Sequence, residues 1–398
     1  MKLNSDIKVL FIGHGANRSG APLLLKEFLS FLKKSEFLGT HLLLLADGPL
    51  AADYQTLCKT DLLNGEVSNN DAFLPTIRTI CKIITSNLIR SRTKNLLELY
   101  PLNKYPVIYA NTIASTATAM DLYLPGRIII QHVHELSYAS DALQVRETLK
   151  ESVDKTHLFI AASQVVAKFL REEIHVDESK IRIIHEFPVI PSQNSQSSSR
   201  NEIRNALGVK DDDFLIGMCG TPEWRKGVDL FVQLGERLRQ KLNGKSYHLL
   251  WVGGSNKQLL EAAHDAKILE LTSNVHFVGN VISPLPYYEA MDLFTLTSRE
   301  DPFSVAMLEA AASGLPIICF DNAGGGEEFV ENNAGITVPY MDIQKMADIC
   351  EDLFNNVQLR LNLGESAKRK VEIYYSPHCQ MSKQLAVIQE ALIGFSGN

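Results

Sequence analysis

Short apolar runs rich in β-branched residues recur along this chain, and longer segments with helical spacing separate them. Most runs are apolar at almost every position, as strands that are covered on both faces must be. Segments between them, such as Leu23–Lys33 and Val165–Glu173, place apolar residues at helical intervals. This alternation predicts an α/β fold with parallel sheets. In the first half the predicted strands are Lys8–Gly13, His41–Ala46, Pro106–Asn111, Arg127–His134, His157–Ser163 and Ile181–Phe187.

A polar, Ser-rich segment, Pro191–Asn201, interrupts the alternation and predicts a linker. Two successive α/β series predict two Rossmann-like domains, residues 1–190 and 200–376, whose sheets face an interdomain cleft. Ligands of such sheets bind beyond the carboxyl ends of the strands. The predicted strands of the second series are Phe214–Gly220, Tyr247–Gly254, Val275–Gly279, Leu293–Ser298, Pro316–Phe320 and Gly335–Tyr340.

The bulk composition is that of a globular protein. The 398 residues carry a net charge of −7, which argues against a general nucleic-acid partner. The first apolar run is too short for a signal peptide, and no stretch approaches the ~20 apolar residues of a membrane-spanning helix. The six cysteines include no Cys-x-x-Cys pair, which favours a reducing cytosol. We therefore expect a cytoplasmic protein.

The strongest chemical signal is Thr297–Pro316, which reads TSREDPFSVAMLEAAASGLP. A strand is predicted to end near Ser298, and a helix to begin around Ser304 and to end before Gly314. The N-terminus of that helix suits a phosphate. Asp301 lies before the helix, and we expect Glu309 about two turns into it, so two carboxylates would flank the phosphate. The alternative is that Ser304 only caps the helix and both acids are solvated.

Asp301–Pro316 resembles the signature of the family-four, or group 1, retaining glycosyltransferases with the GT-B architecture. That signature is Glu-x7-Glu followed by small residues and Gly-x-Pro, and Asp301 replaces its first acid by a side chain one methylene shorter. The resemblance implies that Asp301 holds hydroxyls of the donor sugar and that Glu309 holds the ribose. The backbone that would hold the distal phosphate belongs to Phe303, Ser304 and Val305.

A second match to this family follows the strand that ends at Gly220. Lys226, which precedes Gly227, is similar to the family's diphosphate-binding lysine. A positive charge there would stabilise the departing nucleoside diphosphate. Thr221 stands where the family often has an arginine, so Arg225 is the candidate for that second charge. Alternatively, Arg225 and Lys226 are a solvated pair on a surface turn.

Two glycine-rich turns complete the predicted donor site. Gly253–Gly254 follows one strand and Ala323–Glu328 (AGGGEE) follows another, and glycines there permit positive φ or a close approach of backbone to ligand. Glu328 resembles the family's acid after the second turn, although Glu327 adjoins it. Phe277–Ile282, with Val281, resembles the stretch that faces the nucleobase. A plain tight turn would explain any one of these alone.

The first domain offers fewer candidates. Gly13–Pro22, which contains Gly15, follows the first strand and could approach a phosphate or an acceptor. An NAD-binding domain with Asp47 as its ribose acid is the alternative, but the glycines do not fit Gly-x-Gly-x-x-Gly. That oxidoreductase interpretation also leaves the second-domain matches unexplained, and we reject it.

His132 and His134 end a strand two residues apart, so their side chains share a face. No further metal ligand is evident in the sequence, so we expect no metal site. A structural role is the default for such a histidine. HVHE nevertheless resembles the family's cleft histidine, which favours His134 as a donor or acceptor contact. Asn111–Thr112 is a lesser candidate.

Residues 72–97 contain five basic residues and no acidic one, with isoleucines and leucines on one side. Such a stretch can lie on an anionic membrane at the inner face or recruit a lipid-linked acceptor. It can equally be an ordinary helix with solvated basic residues.

The resemblance as a whole implies transfer from a nucleotide-diphosphate sugar to a glycan, lipid-linked or other hydroxyl acceptor, with retention and without a metal or other cofactor. It also implies that the helix in residues 377–398 packs back on the first domain. The rivals are a catalytically silent nucleotide-sugar-binding subunit and, less favoured, a UDP-sugar epimerase of the same fold.

Overall fold

The computed structural model describes residues 8–37, 39–63, 95–189, 199–331 and 333–396. The chain divides into two compact units. The first unit comprises Met1–Glu186 with His378–Asn398, and the second comprises Phe187–Pro377. Each unit is built around its own parallel sheet.

The first unit holds seven parallel strands in the order β3-β2-β1-β4-β5-β6-β7. Every residue of β1, β4 and β5 is buried, because these strands lie inside the sheet and helices cover both faces. The strands are β1 (Val9–Gly13), β2 (Thr40–Leu44), β3 (Lys59–Leu62), β4 (Val107–Asn111), β5 (Ile128–Val133), β6 (Leu158–Ala161) and β7 (Ile181–Ile183).

The helices of the first unit include one from the far end of the chain. The last helix, Pro377–Ser396, places Ile388 and Leu392 in a buried environment, and its Glu390 pairs with Arg182 at 2.8 Å. The preceding helices of this unit are α1 (Gly20–Lys34), α2 (Ala51–Leu57), α3 (Thr116–Asp121), α4 (Ser137–Ala142), α5 (Arg146–Glu151) and α6 (Gln164–Glu172).

The second unit holds six parallel strands in the order β10-β9-β8-β11-β12-β13. These strands are β8 (Phe214–Cys219), β9 (Tyr247–Val252), β10 (Val275–Val278), β11 (Leu293–Leu296), β12 (Ile317–Phe320) and β13 (Gly335–Val338). The helices are α7 (Arg200–Leu207), α8 (Val228–Lys241), α9 (Leu260–Ile268), α10 (Leu285–Ala290), α11 (Val305–Ala312), α12 (Gly326–Val330), α13 (Ile343–Asn355) and α14 (Val357–Tyr374). We number Pro377–Ser396 as α15.

The predicted α/β fold with parallel sheets is confirmed, but one strand was missed and the ends of several elements differ from those predicted. Edge strand β3 was not predicted, because its sequence KTDL has no apolar run. Strand β7 ends at Ile183 and not at Phe187. The predicted linker included Arg200 and Asn201, yet α7 begins at Arg200 because Ser199 and Glu202 form a reciprocal capping box.

Most of the basic stretch 72–97 lies outside the described residues, so its two interpretations stay predictions. In the described part of the chain, no helix combines the length and the apolar content that crossing a bilayer requires.

Candidate active site

The centre of the second unit's site is a buried ion pair between two residues that the sequence singled out. Lys226 lies in a short 3₁₀ turn after β8, and Asp301 lies in the loop between β11 and α11. The Lys226 Nζ is 2.5 Å from Asp301 Oδ2, and the residues are 8% and 4% exposed. Ser298 Oγ donates to the same carboxylate oxygen at 3.2 Å. The alternative of a solvated lysine and a solvated Asp301 is therefore wrong.

The charges in this pair support each other. Burial alone would raise the pKa of Asp301, but Lys226 and Arg225, with the two hydrogen bonds, hold it below its usual value. Burial lowers the pKa of Lys226, and the Asp301 carboxylate opposes that effect. Asp301 is therefore an anion that is matched by a cation in a protein interior.

Backbone contacts bring the loops after β8 and β11 together. Gly227 has a φ of 67°, and a Cβ atom there would lie 2.1 Å from the Thr297 carbonyl oxygen, so only glycine fits. Thr297 Oγ1 donates to the Gly227 carbonyl at 3.1 Å. Arg299 bridges to Asp229 with distances of 2.6 and 2.9 Å, and its N–H donates to the Arg225 carbonyl at 2.7 Å. These contacts fix Lys226 beside Asp301.

The AGGGEE turn packs directly on Asp301. The Asp301 N–H donates to the Ala323 carbonyl at 2.8 Å, and the Gly325 N–H donates to the Asp301 carbonyl at 3.0 Å. A Cβ atom at Gly324, whose φ is 131°, would lie 1.9 Å from that Asp301 oxygen. The ambiguity between the two adjacent acids is reduced here: Glu327 is exposed and accepts the Asn322 N–H at 3.1 Å, whereas Glu328 is partly buried.

Helix α11 begins at Val305, directly after the buried Ser304. Ser304 Oγ accepts the Met307 N–H at 3.3 Å, so this serine is an N-cap. Phe303 stacks on Tyr375 with ring centroids 5.4 Å apart, which anchors the approach to the helix. The positive end of α11 therefore lies four residues after Asp301. Glu309 is the fifth residue of the helix, in its second turn, and not two full turns in.

Glu309 lies in a partly buried cluster that the sequence did not predict. Tyr288 OH donates to Glu309 Oε2 at 2.9 Å, and the Val189 N–H also donates to this carboxylate. Burial raises the pKa of Glu309 to about 7, although both hydrogen bonds oppose that shift. Cys219, the last residue of β8, also bonds to Tyr288, and burial raises the pKa of its thiol to about 12. No spacing rule connects Tyr288 or Cys219 with Glu309.

Arg225 is less committed than Lys226. Its Nε lies 3.3 Å from Glu223 Oε2, and its side chain is 29% exposed. Trp224, which is 54% exposed, lies under the Arg299 guanidinium at 5.2 Å. The turn thus carries one buried cation and one near the surface.

The other glycine turn packs against the loop after β8. Gly253 and Gly254 have φ values of 116° and 89°, and a Cβ atom at Gly254 would lie 2.5 Å from Pro222 Cδ. A Cβ atom at Gly253 would lie 2.7 Å from the Gly220 carbonyl oxygen. The Gly254 N–H donates to Asn280 Oδ1 at 2.9 Å, and Val281 follows as a partly buried residue. Close backbone packing thus explains these glycines without a ligand.

The first unit gathers polar side chains beyond the carboxyl ends of β4 and β5. His134 Nδ1 lies 2.5 Å from Glu186 Oε1, and its Nε2 lies 2.9 Å from Asn111 Oδ1. Thr112, whose φ is 79°, contacts His14 at 3.2 Å. The His132 and His134 rings lie 3.9 Å apart, so the prediction of a shared face is confirmed. Glu186 and His14 are the members of this group that the sequence did not single out individually.

Gly15 lies in the same unit and is buried. A Cβ atom there would meet the Ala46 side chain at 3.7 Å, which is ordinary packing. The turn at Gly15 therefore does not itself demand a glycine. His134 and Gly15 belong to the first unit, whereas Lys226, Asp301 and Glu309 belong to the second.

Part of the second unit matches a family of known proteins. Residues 213–356 match the family model described as "Glycosyl transferases group 1". Residues 213–356 of the second unit are thus similar to the group 1 glycosyl transferases. This match confirms the family that the Asp301–Pro316 signature indicated, and it covers the Lys226–Asp301 pair, Glu309 and both glycine turns.

Curated relatives match part of this chain in sequence. The chain is 27% identical over 185 residues to a poly(ribitol-phosphate) α-N-acetylglucosaminyltransferase of Staphylococcus aureus, which covers 46% of this chain and 37% of that protein. It is 26% identical to the N,N'-diacetylbacillosaminyl-diphospho-undecaprenol α-1,3-N-acetylgalactosaminyltransferase of Campylobacter jejuni, over 56% of this chain and 58% of that enzyme. The chain thus spans about half the length of the curated relatives it matches.

Structural similarity extends over both units. HepE of Anabaena, solved in complex with UDP and glucose, matches with a TM-score of 0.77 and 19% identity, over 96% of this chain and 99% of that one. TarM matches with a TM-score of 0.69 and 14% identity, over 96% of this chain and 98% of that one. These neighbours share the fold, which is the GT-B architecture of two Rossmann-like domains.

Proposed function

We propose that this protein is a glycosyltransferase that moves a sugar from a nucleotide-diphosphate sugar to a hydroxyl acceptor with retention at the anomeric carbon. The observation that carries this proposal is the buried Lys226–Asp301 pair, which lies just before the N-terminus of α11 within a group 1 glycosyl transferase domain. A lysine charge, a carboxylate and a helix dipole in that order suit a donor with a diphosphate and a hydroxylated sugar.

The proposed roles follow from the chemistry of each group. Lys226 and the N-terminus of α11 neutralise the diphosphate, with Arg225 as a second charge, and this takes the place of a metal. Asp301 accepts hydrogen bonds from the donor sugar, and Glu309 accepts them from the ribose. Glu328 and the backbone at Gly220, Gly254 and Val281 complete the donor site. The donor would be a UDP-sugar, by analogy with the UDP complexes of HepE.

The proposed chemistry is a front-face attack. The acceptor hydroxyl forms a bond to the anomeric carbon on the face from which the diphosphate departs, and the departing phosphate oxygen takes the hydroxyl proton. Lys226 stabilises the negative charge that develops on that phosphate. Neither Asp301 nor Glu309 is an obvious covalent nucleophile, because Asp301 is held by Lys226 and Glu309 by Tyr288. The acceptor would be a glycan or a lipid-linked hydroxyl, bound on the side of His134.

A thermal-shift screen against UDP-, GDP-, ADP- and dTDP-sugars tests donor binding. A selective donor raises the melting temperature in proportion to the logarithm of its concentration over its dissociation constant. Lys226→Ala and Glu309→Ala should each abolish the shift and the transfer. Lys267→Ala and Glu261→Ala, at exposed positions on α9, are the matched controls and should leave both unchanged. If both site variants retain donor affinity and transfer, this assignment of the site is wrong.

Two further measurements test the chemistry. The anomeric configuration of the product, read by NMR coupling constants, should match that of the donor, and inversion would overturn the proposed mechanism. Transfer should persist in EDTA, and its loss would show that a metal is needed.

The rival of a catalytically silent binding subunit rests on two departures from the family pattern, Asp301 and Thr221. Donor-dependent thermal shifts without turnover across a panel of glycan and lipid-linked acceptors would favour that rival. Conversion of a UDP-sugar without any acceptor would instead favour the epimerase.

A further inference from the structure

Glu186 forms a buried hydrogen-bonded group with His134 and Asn111 at the edge of the first unit's sheet. His134 places one ring nitrogen against each partner, with Nδ1 at 2.5 Å from the Glu186 carboxylate and Nε2 at 2.9 Å from Asn111 Oδ1. The side chains of His134 and Glu186 are 7% and 4% exposed. The contacts are therefore shielded from water.

The orientation of Asn111 fixes the protonation that this geometry requires. Its Nδ2 donates to the Ala21 carbonyl at 3.4 Å, which turns Oδ1 toward His134. An amide oxygen only accepts hydrogen bonds, so the His134 Nε2 must carry a proton. A carboxylate oxygen at 2.5 Å from Nδ1 calls for a proton on that nitrogen as well. With an ionised Glu186 carboxylate, this geometry fits a ring that carries a proton on both nitrogens, which is an imidazolium.

We propose that Glu186 is a positioning residue that holds His134 in the doubly protonated, positively charged form at the carboxyl edge of the first sheet. This inference rests on the proposed function, in which His134 serves the donor or acceptor side. Because both ring N–H groups are already engaged by Glu186 and Asn111, its charge would act on an anionic substrate group through space and not by a direct hydrogen bond. Glu186 acts only through His134, so we do not class it as catalytic.

The charged and titratable groups around His134 agree with this assignment. Burial alone would lower the pKa of His134, but the Glu186 carboxylate, its hydrogen bond and Glu135 together raise it. Glu135 accepts the backbone N–H groups of His134 and Ile113. The facing ring of His132 has its pKa held well below the usual value by burial and by His134.

Two further titratable groups near His134, which are His14 and Tyr109, are uncharged. Burial and the nearby His134 lower the pKa of His14 to about 4. Tyr109 lies behind His132, with its hydroxyl 2.7 Å from His132 Nδ1. Burial and the Glu186 charge keep the pKa of Tyr109 well above its usual value, so it stays neutral. Without Glu186, the burial that disfavours a cation would be opposed by Glu135 alone.

A metal ion is the alternative occupant of the same residues. One ligand atom each from His132, His134 and Glu186 lies within 4.8 Å of the others. Glu186 Oε2 and His132 Nε2 are also buried without a hydrogen-bond partner among the described residues. The imidazolium and a metal ion exclude each other at His134, because a metal-bound imidazole nitrogen must be free of its proton, and Zn²⁺ addition distinguishes them.

The test is an NMR titration of histidine side chains in the full-length protein, with the His134 signal identified by its loss in His134→Asn. In the native protein the His134 pKa should lie above 6.5, and in Glu186→Gln it should fall by at least about one unit. Glu186→Asp should restore part of the shift. Glu147→Gln, at an exposed position on α5, should change nothing. An unchanged His134 titration in Glu186→Gln overturns the proposal.

Two further readouts separate this inference from its alternatives. In a transfer assay the pH at which kcat declines on the alkaline side should move to lower pH in Glu186→Gln, while the KM for the donor changes little. Addition of Zn²⁺ should leave the native His134 signal unshifted, and stoichiometric Zn²⁺ binding that Glu186→Gln abolishes would replace the imidazolium by a metal site. If the His134 pKa is raised as expected but the protein binds no nucleotide-sugar, the proposed function is wrong and the Glu186–His134 pair still stands.

Discussion

Glu309→Gln should make the second unit's stability less dependent on pH. The carboxyl of Glu309 has its pKa raised by burial from 4.5 to about 7. The folded protein therefore retains a proton between pH 4.5 and 7 that the unfolded chain has already lost. Because the folded state binds more protons there, the free energy of unfolding falls as pH rises through this window. The contribution is fully present below pH 4.5 and is lost above pH 7.

The size of the effect follows from the shift. A difference of 2.5 between the two values, from 4.5 to about 7, corresponds to about 3 kcal/mol in total, of which about 2–3 kcal/mol falls between pH 5 and pH 8. Glutamine keeps an oxygen that can accept the Tyr288 hydroxyl but has no proton to lose. The stability of Glu309→Gln relative to the native protein should therefore improve by about 2–3 kcal/mol from pH 5 to pH 8.

Tryptophan fluorescence during urea unfolding reports the free energy of unfolding of the second structural unit. The chain has two tryptophans, Trp224 and Trp251, and both lie in the second unit, Trp251 fully buried. Glu289→Gln removes an exposed carboxyl on the neighbouring helix α10 and should follow the native pH dependence. If the stabilities of Glu309→Gln and the native protein run parallel from pH 5 to pH 8, the burial argument fails.

Two further changes test the packing around the site by the same fluorescence assay. Lys226→Met leaves the Asp301 carboxylate buried without its cation and should lower the free energy of unfolding by about 3–5 kcal/mol. Adding Asp301→Asn in a double variant should recover most of that loss. Equal losses in the single and double variants would contradict this. Gly227→Ala should cost at least about 3 kcal/mol, because its Cβ would lie 2.1 Å from the Thr297 carbonyl. Gly244 has a similar φ of 78°, but a Cβ atom there would meet open space. Gly244→Ala should therefore lower the free energy of unfolding by only about 1 kcal/mol, which is the part due to backbone strain without a steric clash.

The sequence specified the sheets well because burial on both faces leaves a direct trace in the residue pattern. Strands such as Val9–Gly13 and Val107–Asn111 are apolar and fully buried, so their positions could be predicted. Edge strand Lys59–Leu62 has only one strand beside it and needs no apolar run, which hid it. The start of α7 was missed because its capping box lies in a polar segment that looks like a linker.

The candidate site divides in the same way. Asp301 and Glu309 follow the spacing of the family signature, and Lys226 resembles the family's lysine, so all three could be named from the sequence. Tyr288, the partner of Glu309, and Glu186, the partner of His134, could not, because these contacts join residues 21 and 52 positions apart. Such contacts arise from the tertiary fold, and no local pattern encodes them. The glycine at position 227 was predicted only as part of a motif, whereas the structure gives its reason in the Thr297 carbonyl.

The Lys226–Asp301 pair bears on why this chain has aspartate where the family signature has glutamate. A buried ion pair contributes little net stability, since desolvation of both charges offsets their attraction. The backbone of Asp301 is fixed on both sides by hydrogen bonds with Ala323 and Gly325, so the length of the side chain decides how far the carboxylate reaches. At this length the carboxylate meets the Lys226 ammonium directly. A bound diphosphate brings two negative charges to the same ammonium and would compete with Asp301 for it, which would release the carboxylate toward the sugar hydroxyls. In this chain the Lys226 charge is thus matched by the aspartate itself.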